Sequence, residues 1–142
     1  MTRKLFIDTW GWLVLADRQD PAHRKVRSFH QAFRRRKGRC VTSDYVLDEM
    51  ITLLFRRAPF IPAKVFAEAI FAAIEADTLE LEPVTSDRFH RAWSFRTRYA
   101  DKPLVSFTDL TSLVIMAELG ISEILTEDRH FEQVGLGLKC VP

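Results

Sequence analysis

Residues 106–128, SFTDLTSLVIMAELGISEILTED, decide the predicted fold, because they join a helix to a strand and place an acid near each. The helix is indicated by apolar residues at the i, i+3, i+4 and i+7 positions of one face, Leu110, Leu113, Val114 and Ala117. Gly120 is expected to end this helix, and residues 123–126 form the strand. Asp109 and Asp128 flank this helix–strand unit.

The same alternation of helix and strand patterns runs along the rest of the chain. Strands are predicted at residues 3–7, 40–42, 79–84, 123–126 and 138–141. Helices are predicted at residues 9–16, from Pro21 to the basic run before Gly38, from a cap at Thr42 or Ser43 to residue 57, at 62–76, and from a cap at Ser86 to residue 99, with a short helical turn at 128–134. This alternation predicts βαβ units, a mostly parallel sheet and the α/β fold class.

Length and composition favour one globular domain, residues 1–142. Hydrophobic residues make up 47% and charged residues 28% of the chain, which excludes a disordered protein. The first apolar run is cut by Asp8 and stops at Asp17, too short for a secretory signal or a membrane span, so we expect a cytoplasmic protein. Cys40 and Cys140 have no zinc-site spacing and are expected to be inert buried thiols.

Four acids, Asp8, Glu49, Asp109 and Asp128, follow predicted strands or begin predicted helices. The carboxyl ends of parallel strands meet at one edge of a sheet, so acids distant in sequence can converge there. A helical wheel places Glu49 at the margin of an apolar face and Asp48 nearly opposite, which makes Glu49 the better candidate.

Carboxylates gathered in one crevice would repel each other, and a divalent cation removes that cost. Ligands that are all oxygen suit Mg²⁺ or Mn²⁺. Such an ion can polarise a phosphoryl oxygen and activate water. The acids therefore predict phosphodiester hydrolysis.

Each acid also has an ordinary structural explanation. Asp109 follows Ser106 at the spacing of a capping box, Asp8 and Asp128 can each cap the helix that follows, and Glu49 can be an ordinary residue on the flank of its helix. Their joint placement on one edge is what favours a site. Hydroxyl residues beside them can hold carboxylates or bound water: Thr9, Ser106, Thr108 and Thr126.

Taken together, four segments of the chain resemble the PIN domain family, most closely its VapC-type toxins. They are residues 6–9 (FIDT), Ser43-x5-Glu49, residues 106–109 (SFTD) and residues 124–131 (ILTEDRHF). The resemblance implies an α/β/α sandwich of three layers, a Mg²⁺- or Mn²⁺-dependent endoribonuclease, frequent homodimerisation and control by a small antitoxin protein.

By this resemblance Asp8, Glu49, Asp109 and Asp128 are the catalytic and metal-binding acids. Thr126 lies near the metal shell, and His130 is a packing residue beside Phe131. Trp10 stands where a small or polar residue is common in the family, so the shape of the pocket floor is open.

An RNA backbone needs cations around the acids. The candidate sources are residues 34–39, Arg56 and Arg57, and the arginines at 88, 91, 96 and 98. Trp93, Phe95 and Tyr99 can stack on unpaired bases, although the spacing of Trp93 from Phe89 favours a core position. No motif that reads bases is visible.

The helix at residues 62–76 carries an apolar stripe wider than one core contact needs, at Val65, Phe66, Ala69, Ile70, Ala73 and Ile74. Such breadth indicates a homodimer surface, an antitoxin groove, or both. The alternative is a central helix covered by its neighbours.

Other functions fit the residues less well. A haloacid dehalogenase-like phosphatase needs a second aspartate where Trp10 stands, and a phosphoacceptor receiver domain needs paired acids and a lysine that are not arranged suitably here. A PIN-fold nuclease that is not a toxin, and a catalytically silent RNA-binding module, remain as alternatives.

Overall fold

The computed structural model describes residues 2–142 and is built on five strands. They are β1 (Lys4–Ile7), β2 (Arg39–Ser43), β3 (Glu80–Glu82), β4 (Glu123–Leu125) and β5 (Lys139–Val141). Together they form one sheet in the order β3-β2-β1-β4-β5, and all neighbouring pairs are parallel. The predicted α/β fold with helices around a parallel sheet is confirmed.

Six helices and one 3₁₀ helix connect the strands. They are α1 (Thr9–Ala16), α2 (His23–Arg35), α3 (Asp44–Arg57), α4 (Phe60–Glu75), α5 (Ser86–Arg98), α6 (Phe107–Leu119) and the 3₁₀ helix Arg129–Val134. Within residues 2–142, none of these helices has the length and apolar character needed to cross a bilayer.

Strand β1 is the centre of the sheet, and the order of connection reverses there. β2 and β3 are added on one side of β1, and β4 and β5 on the other. The carboxyl ends of β1 and β4 therefore form a topological switch point, where open α/β sheets have a crevice for ligands. Ile7 pairs with Leu125 in register, so the next residues, Asp8 and Thr126, emerge side by side.

The central strands are buried on both faces. Leu5, Phe6 and Ile7 have no exposed surface, as expected for a parallel strand covered by helices on each side. In α6 every residue from Leu110 to Met116 is buried. This helix is more deeply buried than the single apolar face predicted, because α5 packs along it and α3 also contacts it.

Three helix starts differ from the prediction. Helix α2 begins at His23 instead of Pro21, with Ala22 at its N-cap. Thr85, rather than Ser86, caps α5, and its hydroxyl accepts a hydrogen bond from the Arg88 backbone N–H at 3.2 Å. Helix α4 begins at Phe60 instead of Pro62, since a proline is tolerated in the first turn, where its missing N–H has no helical partner.

Gly11 allows α1 to lie close to the end of β4. A Cβ atom on this residue would stand 2.9 Å from the carbonyl oxygen of Leu125, closer than a side chain allows. The glycine thereby brings the start of α1, with Asp8 and Trp10, against the carboxyl end of β4.

Candidate active site

Asp8 lies directly after β1 at the carboxyl edge of the sheet. It occupies the N-cap position of α1, but its side chain makes no capping hydrogen bond, so a capping role does not explain it. The carboxylate instead accepts a hydrogen bond from the Thr126 hydroxyl at 3.1 Å. Only 6% of Asp8 is exposed, which makes its charged form costly.

Asp109 does form the predicted capping box at the start of α6. Its Oδ2 accepts from the Ser106 backbone N–H at 3.2 Å, and the Ser106 hydroxyl accepts from the Asp109 N–H at 3.1 Å. These bonds use one carboxylate oxygen of Asp109. Its other oxygen remains available to a ligand, so the capping role and a role in a site are compatible.

Asp128 caps the 3₁₀ helix, also as predicted, and is held by His130. Its Oδ1 lies 2.9 Å from the His130 backbone nitrogen, which donates to it, and 2.6 Å from the His130 ring Nδ1. His130 therefore does more than the packing beside Phe131 that the resemblance implied, because its ring also holds the Asp128 carboxylate. The Asp-x-His spacing was the available signal, because it allows the imidazole to fold back onto the carboxylate that caps its own turn.

Glu49 is half-buried in the second turn of α3, whereas Asp48 is exposed. The helical-wheel prediction that separated these neighbours is confirmed. Because Glu49 raises the pKa of both Asp8 and Asp109, it lies near the same crevice.

The four acids are linked electrostatically across the carboxyl edge. Burial, and then the charges of Asp109 and Glu49, raise the pKa of Asp8 to about 7, although the Thr9 N–H and the Thr126 hydroxyl partly oppose this. Burial, and then Asp128 and Glu49, raise the pKa of Asp109 to about 6 against the Ser106 hydrogen bonds. The fold thus gathers like charges that it does not neutralise.

The carboxylates are nevertheless not close enough together to coordinate one metal ion directly. Within residues 2–142, no group of three or more His, Cys, Asp or Glu side chains is arranged to hold a metal ion. An ion in the crevice therefore needs water between itself and some of the carboxylates, which suits Mg²⁺ because it keeps several waters, or a small movement of the side chains.

Two threonine hydroxyls complete the wall of the crevice. Thr126, which is buried, donates to Asp8 and accepts from the Asp128 backbone N–H at 3.2 Å, so it ties the two acids together. Thr9 Oγ1 is buried without a hydrogen-bond partner in the described chain. A buried hydroxyl of this kind is free to hydrogen-bond a bound water or ligand.

Arg96 fixes the loop that leads into α6. Its guanidinium donates to the carbonyl oxygens of Val105 at 2.6 Å, Tyr99 at 2.9 Å and Lys102 at 2.8 Å. Val105 directly precedes Ser106, so Arg96 fixes the position of the chain as it enters the capping box. Its Nη1 and Nη2 atoms are thereby committed to the protein backbone, so the structure gives Arg96 a positioning role, and its predicted role as a cation for RNA stays a prediction.

The basic run at residues 34–39 lies at the wrong edge of the sheet to surround the acids. It leads into the amino end of β2, opposite the carboxyl edge. Arg39 is also neutralised, with Nε 2.8 Å from Glu80 and Nη2 2.7 Å from Asp77. This run was predicted as a source of cations for the crevice, and its position in the fold contradicts that.

Two of the four arginines of α5 are paired as well. Arg88 bridges Glu82 and Glu118 at 2.9 Å each, and Arg91 contacts Asp87 at 3.0 Å and Glu118 at 3.1 Å. These pairs fasten α5 to β3 and α6. Arg88 and Arg91 are therefore engaged by acids and are not free to bind a substrate.

Several apolar side chains are left on the surface. Trp93 is 58% exposed, so its predicted core position is wrong. On α4, Phe60, Ile61 and Val65 are also exposed, while Ile70 is buried, and the predicted wide stripe is thus partly open to solvent.

A groove of about 340 Å³ lies between α2, α4 and the end of α1. Its floor is apolar, with Trp12, Phe66 and Ile70, and its rim carries basic residues, including Arg18, Arg27 and Arg34. None of these three arginines forms an ion pair within residues 2–142. His30 also lines the groove, and burial, with the nearby Arg34, lowers its pKa to about 4.

Comparison with known proteins places this geometry in a family. The PIN domain model matches residues 5–136 of the chain. A search of curated protein sequences gave no significant match.

Solved structures give the same fold. The chain is similar to VapC20 of Mycobacterium tuberculosis, a toxin that cleaves the sarcin–ricin loop, with 29% identity and a TM-score of 0.76 over 92% of this chain and 95% of that one. It also matches VapBC2 of Rickettsia felis bound to promoter DNA (11% identity, TM-score 0.74, 98% and 99% covered) and DNA-bound VapBC of Salmonella typhimurium (15%, 0.66, 99% and 98%). The chain belongs to the PIN domain family, and its fold is similar to that of VapC toxins.

Proposed function

We propose that this protein is a divalent-metal-dependent endoribonuclease and the toxin of a toxin–antitoxin pair. The observation that carries the proposal is the set of four acids at the β1–β4 switch point, where burial and the charges of the neighbouring acids raise the pKa of Asp8 and of Asp109. The similarity to VapC20, a toxin that cleaves the sarcin–ricin loop, supports RNA as the substrate.

The residues of the crevice fit a hard dication such as Mg²⁺ or Mn²⁺. All candidate ligands are oxygens, from Asp8, Glu49, Asp109 and Asp128, and the unpartnered hydroxyl of Thr9 can contact a bound water. The raised pKa values support the same conclusion, because an added positive charge would relieve the repulsion.

In this proposal each residue has a distinct task. The four acids bind the ion, Thr126 holds the Asp8 carboxylate in place, and His130 holds that of Asp128. A bound ion would supply polarisation of a phosphoryl oxygen and activation of the attacking water. Burial of Asp8 keeps bulk water away from this carboxylate, which strengthens its electrostatic interactions.

The test is cleavage of unstructured and structured RNAs with Mg²⁺ or Mn²⁺, with an EDTA control. We expect Asp8→Asn and Asp109→Asn each to lower the rate by about 10²-fold or more, since several kcal/mol of charge stabilisation is lost. Asp48→Asn, one residue from Glu49 but exposed, is the matched control and should cleave normally. Full activity in both site variants would refute the proposal.

A second candidate is a catalytically silent RNA-binding module on the same fold. It is favoured by the absence, within residues 2–142, of three acids already arranged around one ion position. Calorimetric titration with Mn²⁺ separates the two candidates. The nuclease must bind Mn²⁺, and Asp8→Asn must abolish that binding, whereas the silent module need not bind the ion.

The groove between α2 and α4 is the proposed seat of the antitoxin. Its apolar floor and unpaired arginines suit a segment with apolar and acidic side chains, and two of the similar structures are VapBC assemblies. Co-purification with the product of a short upstream reading frame tests this. Arg27→Glu should weaken the complex, whereas Arg24→Glu, an exposed arginine on the same helix that does not line the groove, should not.

We also propose a homodimer. Exposed apolar residues that do not line this groove, including Phe60 and Trp93, could form its interface. Light scattering across micromolar concentrations should give twice the 16.5 kDa chain mass. Monomeric behaviour throughout would refute the dimer. We further propose that residues 1–142 act as one nuclease domain in the cytoplasm.

A further inference from the structure

A second cavity, of about 230 Å³, lies beside the acid crevice. Its walls come from residues that follow β1, β4 and β5 and from the start of α2, and they include Trp10, Thr126 and Lys25. Thr126 also contacts Asp8, so the cavity and the crevice share a wall. The volume is below that of pockets for drug-sized ligands (about 300–1,000 Å³) and suits a single planar ring system.

Trp10 gives this cavity an aromatic wall whose ring and indole N–H are not used in contacts that stabilise the fold. The residue is half-buried, and within residues 2–142 its indole N–H has no hydrogen-bond partner and its ring belongs to no aromatic pair. Trp12 differs on both counts, since its Nε1 donates to Thr42 at 3.1 Å and its ring packs edge-on against Phe66. The structure uses Trp12 for its core and leaves Trp10 available to a ligand.

The polar groups of the cavity are suited to a nucleotide. Lys25 is exposed and has no ion-pair partner in the described part of the chain, while Arg129 is 70% exposed and contacts Glu132 at 2.9 Å. Glu127 provides a carboxylate that can accept hydrogen bonds from an amino group on a base edge. A ring, a cation and an acceptor therefore meet next to the acids.

We propose that this cavity holds an unpaired, amino-bearing nucleobase next to the scissile phosphate, stacked on Trp10, with Lys25 on an adjacent phosphate. This inference rests on the proposed ribonuclease function. It makes Trp10 a residue that determines specificity, because aromatic stacking selects a base that is free of a duplex. Lys25 would contribute affinity without regard to sequence.

The test is a double-mutant cycle between Trp10 and the RNA. Binding of a labelled single-stranded RNA octamer to the Asp8→Asn protein is measured by fluorescence anisotropy, with an abasic nucleotide at each position in turn. We expect Trp10→Leu to weaken binding by about 5- to 100-fold. In the protein that keeps Trp10, an abasic nucleotide at one position of the RNA should weaken binding by a similar factor. In Trp10→Leu, the same abasic nucleotide should weaken binding no further.

Matched variants separate stacking from general damage. Phe89→Leu changes an exposed aromatic residue on α5 and should leave binding unchanged, while Trp10→Phe keeps a ring and should retain part of the affinity. Lys25→Gln should lower the slope of log affinity against log salt by about 1, and Arg24→Gln on the same helix should not. Thermal unfolding of each variant checks that it is folded.

The outcomes distinguish this inference from the function on which it rests. Suppose that the wild-type protein cleaves RNA with Mg²⁺. If Trp10→Leu and Trp10→Phe then bind RNA like the parent protein, or if the losses of affinity from the abasic nucleotide and from Trp10→Leu add independently, the base site is refuted and the nuclease stands. If the wild type does not cleave RNA although Asp8→Asn shows the predicted cycle, the nuclease is refuted and the base site stands. Failure of all forms to bind RNA refutes both.

Discussion

Replacing Asp8 by asparagine should stabilise the metal-free protein at alkaline pH. Burial and neighbouring acids raise the pKa of Asp8 from 3.8 to about 7, which at about 1.4 kcal/mol per pH unit corresponds to ~4 kcal/mol of folding free energy. Asparagine keeps the shape of the side chain and removes the charge. Because its amide is also desolvated, we expect a net gain of about 2–3 kcal/mol in the free energy of unfolding at pH 8.

The sign of the pH dependence follows from the raised pKa. Between pH 4 and pH 7 the folded state holds a proton on Asp8 that the unfolded state has lost, so raising the pH through this window destabilises the wild type. The cost of the charge is complete at pH 8 and less than half as large at pH 5. The benefit of Asp8→Asn should therefore shrink as the pH falls and nearly vanish near pH 5.

Urea unfolding in EDTA, followed by circular dichroism at pH 5 and pH 8, measures this directly. The control is Asp48→Asn, an exposed acid on α3, which should change stability by less than about 0.5 kcal/mol. Repeating the measurement with Mg²⁺ should stabilise the wild type and not Asp8→Asn. If Asp8→Asn destabilises the protein equally at both pH values, the claim of an uncompensated buried carboxylate is wrong.

Two further predictions concern the residues that position the acids. Arg96→Ala should lower the free energy of unfolding by about 2–3 kcal/mol, because three loop carbonyls lose a charged donor, and it should weaken Mn²⁺ binding in calorimetry by displacing Asp109; Arg98→Ala, the neighbouring exposed arginine, should do neither. Thr126→Val should raise the pKa of Asp8 further, because the carboxylate loses its hydroxyl donor; a pH profile of Mn²⁺ affinity that is unchanged from the wild type would contradict this.

Most of the fold could be predicted from local patterns, because strands buried on both faces are continuous apolar runs and the helices between them begin at cap residues. The run Leu5-Phe6-Ile7 gave β1, and Ser106 gave the start of α6. The sequence could not reveal how completely α6 is enclosed. Its burial depends on α5, whose own surface residues are largely charged.

The positions of the acids were also predictable, since residues after parallel strands share one edge. What they do to each other was not, because a pKa depends on burial and on distances that only the fold sets. Asp8 and Asp109 were both possible caps by sequence. The structure gives Asp109 that role and leaves the Asp8 side chain without it.

Charge clusters were the least predictable feature, because sequence shows that arginines are adjacent but not which acids they meet. Arg39 pairs with Glu80 and Arg88 with Glu118, and in each case the partner lies on an element distant in the chain. The predicted core position of Trp93 was wrong for a related reason. Helical spacing from Phe89 predicts a shared face, yet that face of α5 is turned away from the core.

The location of unpaired positive charge constrains how RNA can reach the acids. The basic run before β2 lies at the opposite edge of the sheet, and the main arginines of α5 are neutralised by acids. Beside the crevice, the second cavity carries Lys25 on α2, which has no ion-pair partner within residues 2–142, and Arg129, which contacts Glu132 at 2.9 Å. A substrate backbone attracted by this pair would run along the Trp10 side of the switch point, so an unpaired base next to the scissile phosphate would meet the tryptophan ring first.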